Sequence, residues 1–324
     1  METIANYYDA WTSSILGAII FLVIGFVLLI KGADFFVDGA SAVAKKLKVP
    51  SVIVGMTIVA MGTSLPETSV SVTASLANAN ALAISNAIGS NIFNLMVVLG
   101  VCALFSPLVI DQITLKRDYP ISVGCAILVL ILGGIGMTLG RVDGVILLVC
   151  FALFLVLMIV SALKARANAE ESAEKTMNTF LCILAIIGGA LAIKFGGDFV
   201  VDSASTIALK FGMSETLVGL TIVALGTSLP ELVTSIVAAK KNELDMAIGN
   251  VVGSNIFNIL MVVGIASAIS PIEFITENII DIVVLCVFSL ITWLFCVTKK
   301  RIDKVEGSIM LVLYVGYVVY ACIR

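Results

Sequence analysis

GMTIVAMGTSLPETSVS, at residues 55–71, returns as GLTIVALGTSLPELVTS at residues 219–235, identical at 12 of 17 positions. Each copy lies inside a long apolar stretch, and each places a glutamate, Glu67 or Glu231, directly after a proline. The match spreads outward from there. With a shift of 164 the chain overlays itself without a gap from about residue 32 to residue 107. NAIGSNIFNLMVVLG (86–100) meets NVVGSNIFNILMVVG (250–264) at 9 of 15 positions, Asp34 and Asp38 meet Asp198 and Asp202, and Pro107 meets Pro271. After a one-residue slip RVDG (141–144) resembles KVEG (304–307). The chain is one unit written twice.

The unit is built for lipid. Hydrophobic residues make up 60% of the 324 and charged residues only 13%, with a mean hydropathy of +1.16; soluble domains carry about twice that charge. Apolar runs recur along the whole length, each long enough to cross a ~30 Å hydrocarbon core. Ten spans are expected, near 12–30 (continuing as a long tilted helix), 50–77, 82–106, 120–139, 142–163, 179–204, 214–239, 245–269, 279–297 and 305–323. The fold class is an all-α membrane protein of ten transmembrane helices in two five-helix repeats: 1–163, then a short cytoplasmic loop at 164–178, then 179–324.

Five is odd, so the second copy must enter the membrane upside down. The charges agree. With the N-terminus outside, fourteen Lys and Arg fall on inside segments and only Arg141, Lys210 and Arg324 on outside ones, leaving Lys31 and Lys194 within spans; that is the positive-inside pattern. The expected location is the cell membrane, multi-pass, with both termini outside. Inverted repeats can form the same contacts facing either side, which is the basis of alternating access.

Several chemistries are excluded or unsupported. The chain has no histidine, which removes imidazole as ligand, base or relay. The seven cysteines lie in or beside apolar runs without paired spacing and read as small packing residues. METIANYYDAW has no positively charged region and does not read as a cleavable signal peptide. Nothing in the pattern calls for nucleic acid, a cofactor or an obligate protein partner.

An ionisable residue at the centre of a lone membrane helix costs ~2.5–3.5 kcal/mol on insertion scales, and this sequence incurs that cost at both Glu67 and Glu231. Pro66 and Pro230 offer no N–H to the carbonyls four residues earlier, and Gly62 and Gly226 loosen the same turn. A helix broken at membrane depth, with free carbonyls near 60–63 and 224–227, is expected; such breaks are tolerated where they line a cavity or are buried in protein. Thr63 and Ser64 share a face with Glu67, as Thr227 and Ser228 do with Glu231. The next span adds a polar stripe of Asn86, Ser90 and Asn94, with its twin at Asn250, Ser254 and Asn258. A Pro-kinked helix padded by Ser and Thr would explain one such segment, but not a glutamate after the proline in both. Every donor is an oxygen, the preference of hard cations such as Ca²⁺. Asp34, Asp38, Asp198 and Asp202 read as interfacial or ion-paired residues near Lys31 and Lys194, or else as an electrostatic attractor at an ion entrance.

The paired GTSLPE segments, each followed by GSNIFN, resemble the two alpha-repeats of the cation/calcium antiporter superfamily, in particular prokaryotic sodium/calcium exchangers, over nearly the whole chain. The resemblance implies antiport of Na⁺ against Ca²⁺ by alternating access, with four cation positions in a central diamond and the long first and sixth helices as the gating unit. It implies that Glu67 and Glu231 bind Ca²⁺ and share Na⁺. Thr63, Ser64, Thr227, Ser228, Ser90 and Ser254 would supply hydroxyl or carbonyl oxygens, Ala60 and Ala224 carbonyls, and Asn94 its amide. One position departs: some members have aspartate where this chain has Asn258. Two carboxylates neutralise one Ca²⁺ or two Na⁺, so potassium co-transport is disfavoured and the stoichiometry stays open. The 164–178 loop also has no room for the Ca²⁺-sensing domains of large animal exchangers.

Three other readings compete. Ca²⁺/H⁺ antiport could use the same glutamates, since a buried carboxylate can carry a proton in place of a metal. An intramembrane aspartyl protease could use Asp34 and Asp198, but neither sits in a G-x-G-D context and the glutamate site would go unexplained. A cation channel would share the selectivity but gains nothing obvious from inverted repeats.

Overall fold

The computed structural model describes residues 14–77, 80–168, 177–214, 218 and 222–324. The METIANYYDAW stretch, residues 169–176 of the central connection and most of 215–221 lie outside the described residues. Eleven helices of ten residues or more carry the described chain: α1 (Ile15–Leu47), α2 (Ser51–Thr63), α3 (Leu65–Leu76), α4 (Ala81–Phe105), α5 (Tyr119–Gly134), α6 (Arg141–Ala167), α7 (Thr179–Lys210), α8 (Leu229–Lys240), α9 (Leu244–Ile269), α10 (Thr276–Lys299) and α11 (Lys304–Ile323).

Seven of them, α1, α4, α6, α7, α9, α10 and α11, are long and apolar enough to cross a membrane. The other expected spans are shorter for identifiable reasons. The stretch read at 50–77 is cut in two at Ser64, whose φ −84° and ψ 11° leave the helix, and Pro66 opens α3 immediately after. Ser228 repeats the cut at φ −93° and ψ 4°, ahead of Pro230 and α8. The run read at 120–139 ends as a helix at Gly134, because the chain turns through left-handed residues at Gly136 and Met137, with φ 81° and 54°.

α1 and α7 run side by side along a seam of glycines. A methyl group on Gly25 would stand 2.9 Å from Gly196 O, and one on Gly196 2.8 Å from Gly25 O; Gly32 and Gly189 repeat the relation at 3.0 and 2.8 Å. Gly25 and Gly32 are the partners of Gly189 and Gly196 under the 164-residue shift. The backbones approach as closely as small residues permit in a membrane interface.

The larger core gathers residues of α4, α5, α6, α9 and α10, among them Ile88, Ile92, Met96, Val129, Leu147, Phe257 and Leu285. A smaller one holds Leu29, Phe36 and Val37 of α1 against Ile193 and Val200 of α7, with Val237 and Met246 from the second half. Two short antiparallel ladders join the halves: β1 (Leu108–Val109) to β4 (Arg301–Ile302), and β2 (Thr138–Leu139) to β3 (Ile272–Glu273). Under the repeat shift β1 corresponds to β3 and, with the slip, β2 to β4, so each ladder is the counterpart of the other.

Candidate cation site

The break explains why a glutamate follows each proline. A proline at the start of a helix gives up only an N–H that would have no intrahelical partner. Glu67 and Glu231 then fall in the first turns of α3 and α8, where orphan N–H groups and the positive end of the helix dipole favour an anion. Both side chains are completely buried. The sequence thus makes a helix amino terminus inside the protein and seats a carboxylate on it.

Each carboxylate is held from both halves of the chain. Ser228 Oγ donates to Glu67 Oε1 at 3.3 Å and Ser90 Oγ donates to the same oxygen at 3.5 Å. Ser64 Oγ donates to Glu231 Oε1 at 3.2 Å, with Ser254 Oγ at 3.5 Å. The hydroxyls of Thr63 and Thr227 reach across to the amide oxygens of Asn250 (3.1 Å) and Asn86 (3.4 Å). Asn86 Nδ2 donates to Ser71 Oγ at 3.1 Å, and Asn250 Nδ2 to Ser235 Oγ at 3.0 Å. Every bond has its mate at a shift of 164, the reciprocal pattern that a two-fold relation between like surfaces produces.

Between these groups lie polar atoms with no hydrogen-bond partner: the second oxygen, Oε2, of each glutamate, both polar atoms of the Asn94 amide, and Asn258 Oδ1. Asn94 and Asn258 are also fully buried. Buried polar atoms without partners are costly and rare in native proteins, and these converge on carboxylate and amide oxygens. The arrangement suits a desolvated cation. Asn258 is fixed in how it can act: its Nδ2 donates to Asn91 Oδ1 at 3.1 Å, leaving the carbonyl oxygen uncommitted. Ala60 O accepts the Ser64 N–H at 3.0 Å and lies 3.4 Å from the Thr63 hydroxyl. Ala224 opens a three-residue turn, Ala224–Gly226, and its side chain lies outside what the structure describes.

The polar stripe read from the sequence omits a pair that the fold uses. Asn91 Nδ2 donates to Asn255 O at 3.0 Å and Asn255 Nδ2 donates back to Asn91 O at 3.3 Å, cross-linking α4 and α9. The available signal was the invariance of the whole GSNIFN segment between copies, including the asparagine off the i, i+4, i+8 stripe. α4 and α9 also each pass through a π-helical turn, at Asn94–Val98 and Asn258–Val263, of the kind that clusters at functional sites.

Of the outlying aspartates, Asp34, Asp38 and Asp198 are ion-paired. Lys241 Nζ lies 2.7 Å from Asp38 Oδ1 and 3.5 Å from Asp34 Oδ1, and it donates to Asp34 O at 2.9 Å; Lys31 stands 3.7 Å from Asp34. Lys194 pairs with Asp198 at 2.6 Å. A cavity of about 260 Å³ opens beside the site, lined by Pro66, Asp198, Asp202, Gly226, Thr227 and Pro230 among others.

The profile of the family described as sodium/calcium exchanger protein matches residues 17–160 and 181–323. The inner membrane protein YrbG of Escherichia coli is 36% identical over 288 residues, 84% of this chain and 87% of that protein. The sodium/calcium exchanger MaX1 of Methanosarcina acetivorans is 31% identical over 337 residues, 92% and 96% respectively. Among solved structures, the sodium-calcium exchanger NCX_Mj soaked with Na⁺ and Sr²⁺ superposes with a TM-score of 0.84 at 32% identity, over 96% of this chain and 100% of that one.

Proposed function

The chain belongs to the sodium/calcium exchanger family, and from that premise we propose that it is a secondary active antiporter exchanging Na⁺ for Ca²⁺ across the cell membrane. The family is one of transporters rather than enzymes, and the ions are cargo. The observation that carries the reading is the pair of buried glutamates, each bound on one oxygen by hydroxyls from both halves and bare on the other. Glu67 and Glu231 bind Ca²⁺ directly, and Na⁺ shares them. Thr63, Ser64, Ser90, Thr227, Ser228 and Ser254 complete the shell with oxygens, as do Asn94, Asn258 and the carbonyls of Ala60 and Ala224.

In this reading the chain makes ten crossings in two inverted repeats, bounded at 1–163 and 179–324, with the site near the bilayer midplane and both termini outside. The reciprocal bonds across the halves support that arrangement, because the same contacts then serve a site open to either face. Access alternates. The 260 Å³ cavity beside α7 is lined by Thr227 and Asp198, while Lys241 ties α1 to the end of α8.

The test is radioactive calcium uptake into proteoliposomes loaded with Na⁺, against vesicles without the gradient, for the wild type and Glu231→Gln. Uptake that requires internal Na⁺ and disappears in the variant is expected. Uptake driven by a pH gradient and indifferent to Na⁺ would transfer the site to Ca²⁺/H⁺ antiport; uptake untouched by the variant would remove the site.

A further inference from the structure

The hydrogen bonds on the two glutamates are mated between the repeats; those that join α4 to α9 are not. Among the described residues there are three. Asn91 Nδ2 donates to Asn255 O and Asn255 Nδ2 donates to Asn91 O, and these two are mates under the 164-residue shift. The third runs from Asn258 Nδ2 to Asn91 Oδ1 at 3.1 Å, and its mate would run from Asn94 Nδ2 to Asn255 Oδ1. That bond is open. Asn94 and Asn255 are both buried, and neither of those two atoms has a hydrogen-bond partner. With its nitrogen held on a backbone carbonyl, each of Asn91 and Asn255 has a side-chain oxygen left to accept. A buried N–H and a buried oxygen, orphaned at mated positions, are the two halves of one bond.

Access to the site is lopsided too. Thr227 lines the 260 Å³ cavity and Val223 is 42% exposed, whereas their mates Thr63 and Val59 are fully buried. One half of the site is open, and one of its two ligand amides is untied. We propose that Asn91 and Asn255 are positioning residues, each acting through the ligand asparagine of the opposite repeat, and that the tied amide alternates with the side to which the site opens. In the present state Asn91 holds Asn258, whose carbonyl oxygen is thereby left for a cation, and Asn94 is released. In the mirror state Asn255 holds Asn94 and Asn258 is released. A tied asparagine is an oxygen ligand of fixed orientation; a released one can turn an N–H to the site, which a cation cannot use. The exchange keeps one oriented amide oxygen on the cargo in either state.

The proposal rests on the reading that Glu67 and Glu231 hold Ca²⁺. Its test is equilibrium binding of radioactive calcium to the purified whole chain in Na⁺-free detergent. Asn91→Leu is measured alone and combined with Asn258→Ala; Asn255→Leu is measured alone and combined with Asn94→Ala. Each leucine variant alone should weaken Ca²⁺ binding about fivefold, the worth of one hydrogen bond. Added to the alanine variant of its ligand, it should cost about twofold at most, because a residue that acts through another has nothing left to position once that other is gone. A merely structural role, holding α4 against α9, predicts the same loss in either background; such independent losses in either pair overturn the proposal. Leucine also removes the bond to the facing backbone carbonyl, so Asn91→Asp and Asn255→Asp are measured beside it, with size-exclusion chromatography to check folding. They retain the accepting oxygen and forfeit the donor. Ca²⁺ affinity at or above that of the wild type is expected for both, and a loss matching that of leucine overturns the proposal. A wild type that binds no Ca²⁺, or Glu231→Gln binding as tightly as the wild type, would instead bring down the glutamate site and this proposal with it.

Discussion

Asn258 sets the charge of the site. Its amide nitrogen is spent on Asn91, so it can offer a cation only a neutral carbonyl oxygen. The site's formal charge then rests on Glu67 and Glu231 alone. Asn258→Asp adds a third carboxylate facing the amide oxygen of Asn91, a residue whose nitrogen already donates to Asn255 O. That variant should change the monovalent-ion requirement of calcium uptake, either strengthening its dependence on Na⁺ or introducing one on K⁺. Titrating Na⁺ and K⁺ against initial uptake rates in proteoliposomes checks this, and superimposable curves would count against it. The glutamates and their hydroxyl partners were legible in the sequence because charge beside proline in an apolar run has few explanations. The commitment of Asn258 was not: it depends on Asn91, which comes into range only when α4 and α9 pack together.

At the scale of elements, the first long helix is anchored by charge. α1 is tied to the second half by Lys241, by its contacts with Asp34 and Asp38, and by a hydrogen bond from Ser41 to Glu243. The sequence places Ala77 where a counterpart of Lys241 would stand, and Lys194 closes on Asp198 within α7 itself. Partly exposed ion pairs are individually worth ~0.2–1 kcal/mol, so removing Lys241 should shift the balance between conformations by roughly fivefold rather than lock it. Lys241→Gln is expected to raise amide hydrogen exchange over residues 38–48, read by mass spectrometry at fixed Na⁺. Unchanged or slower exchange there would show that the tie has no part in conformational choice. Neither this tie nor the glycine seam could be read ahead of the fold. A lysine in a loop has many candidate partners, and glycines 25 and 32 look like ordinary membrane glycines until Gly189 and Gly196 lie opposite. The π turns escaped for a similar reason, since no residue type marks them and packing decides them.

For the whole molecule, parity and charge together predict sidedness. In a chain whose native cysteines are replaced, a cysteine at Arg324 should react with an impermeant maleimide in intact cells, and one at Lys116 only after permeabilisation. The reverse labelling would invert the topology while leaving the site intact. Duplication made the pairing of site residues legible, because each residue of one copy predicts its mate 164 positions on. The two β-ladders were invisible by comparison: four two-residue strands carry no periodicity of their own. They nonetheless bear on how the protein is made. Leu108 and Val109 pair with Ile302 and Arg301, so the first unit to leave the ribosome waits for a mate encoded 192 positions after Val109. Until that mate is inserted, the early half has an unmatched strand edge and a carboxylate missing the hydroxyl of Ser228. Both features are therefore completed only by the second copy. A chain interrupted before residue 301 lacks the mate of its first ladder, and one interrupted before Ser228 also lacks that hydroxyl for Glu67.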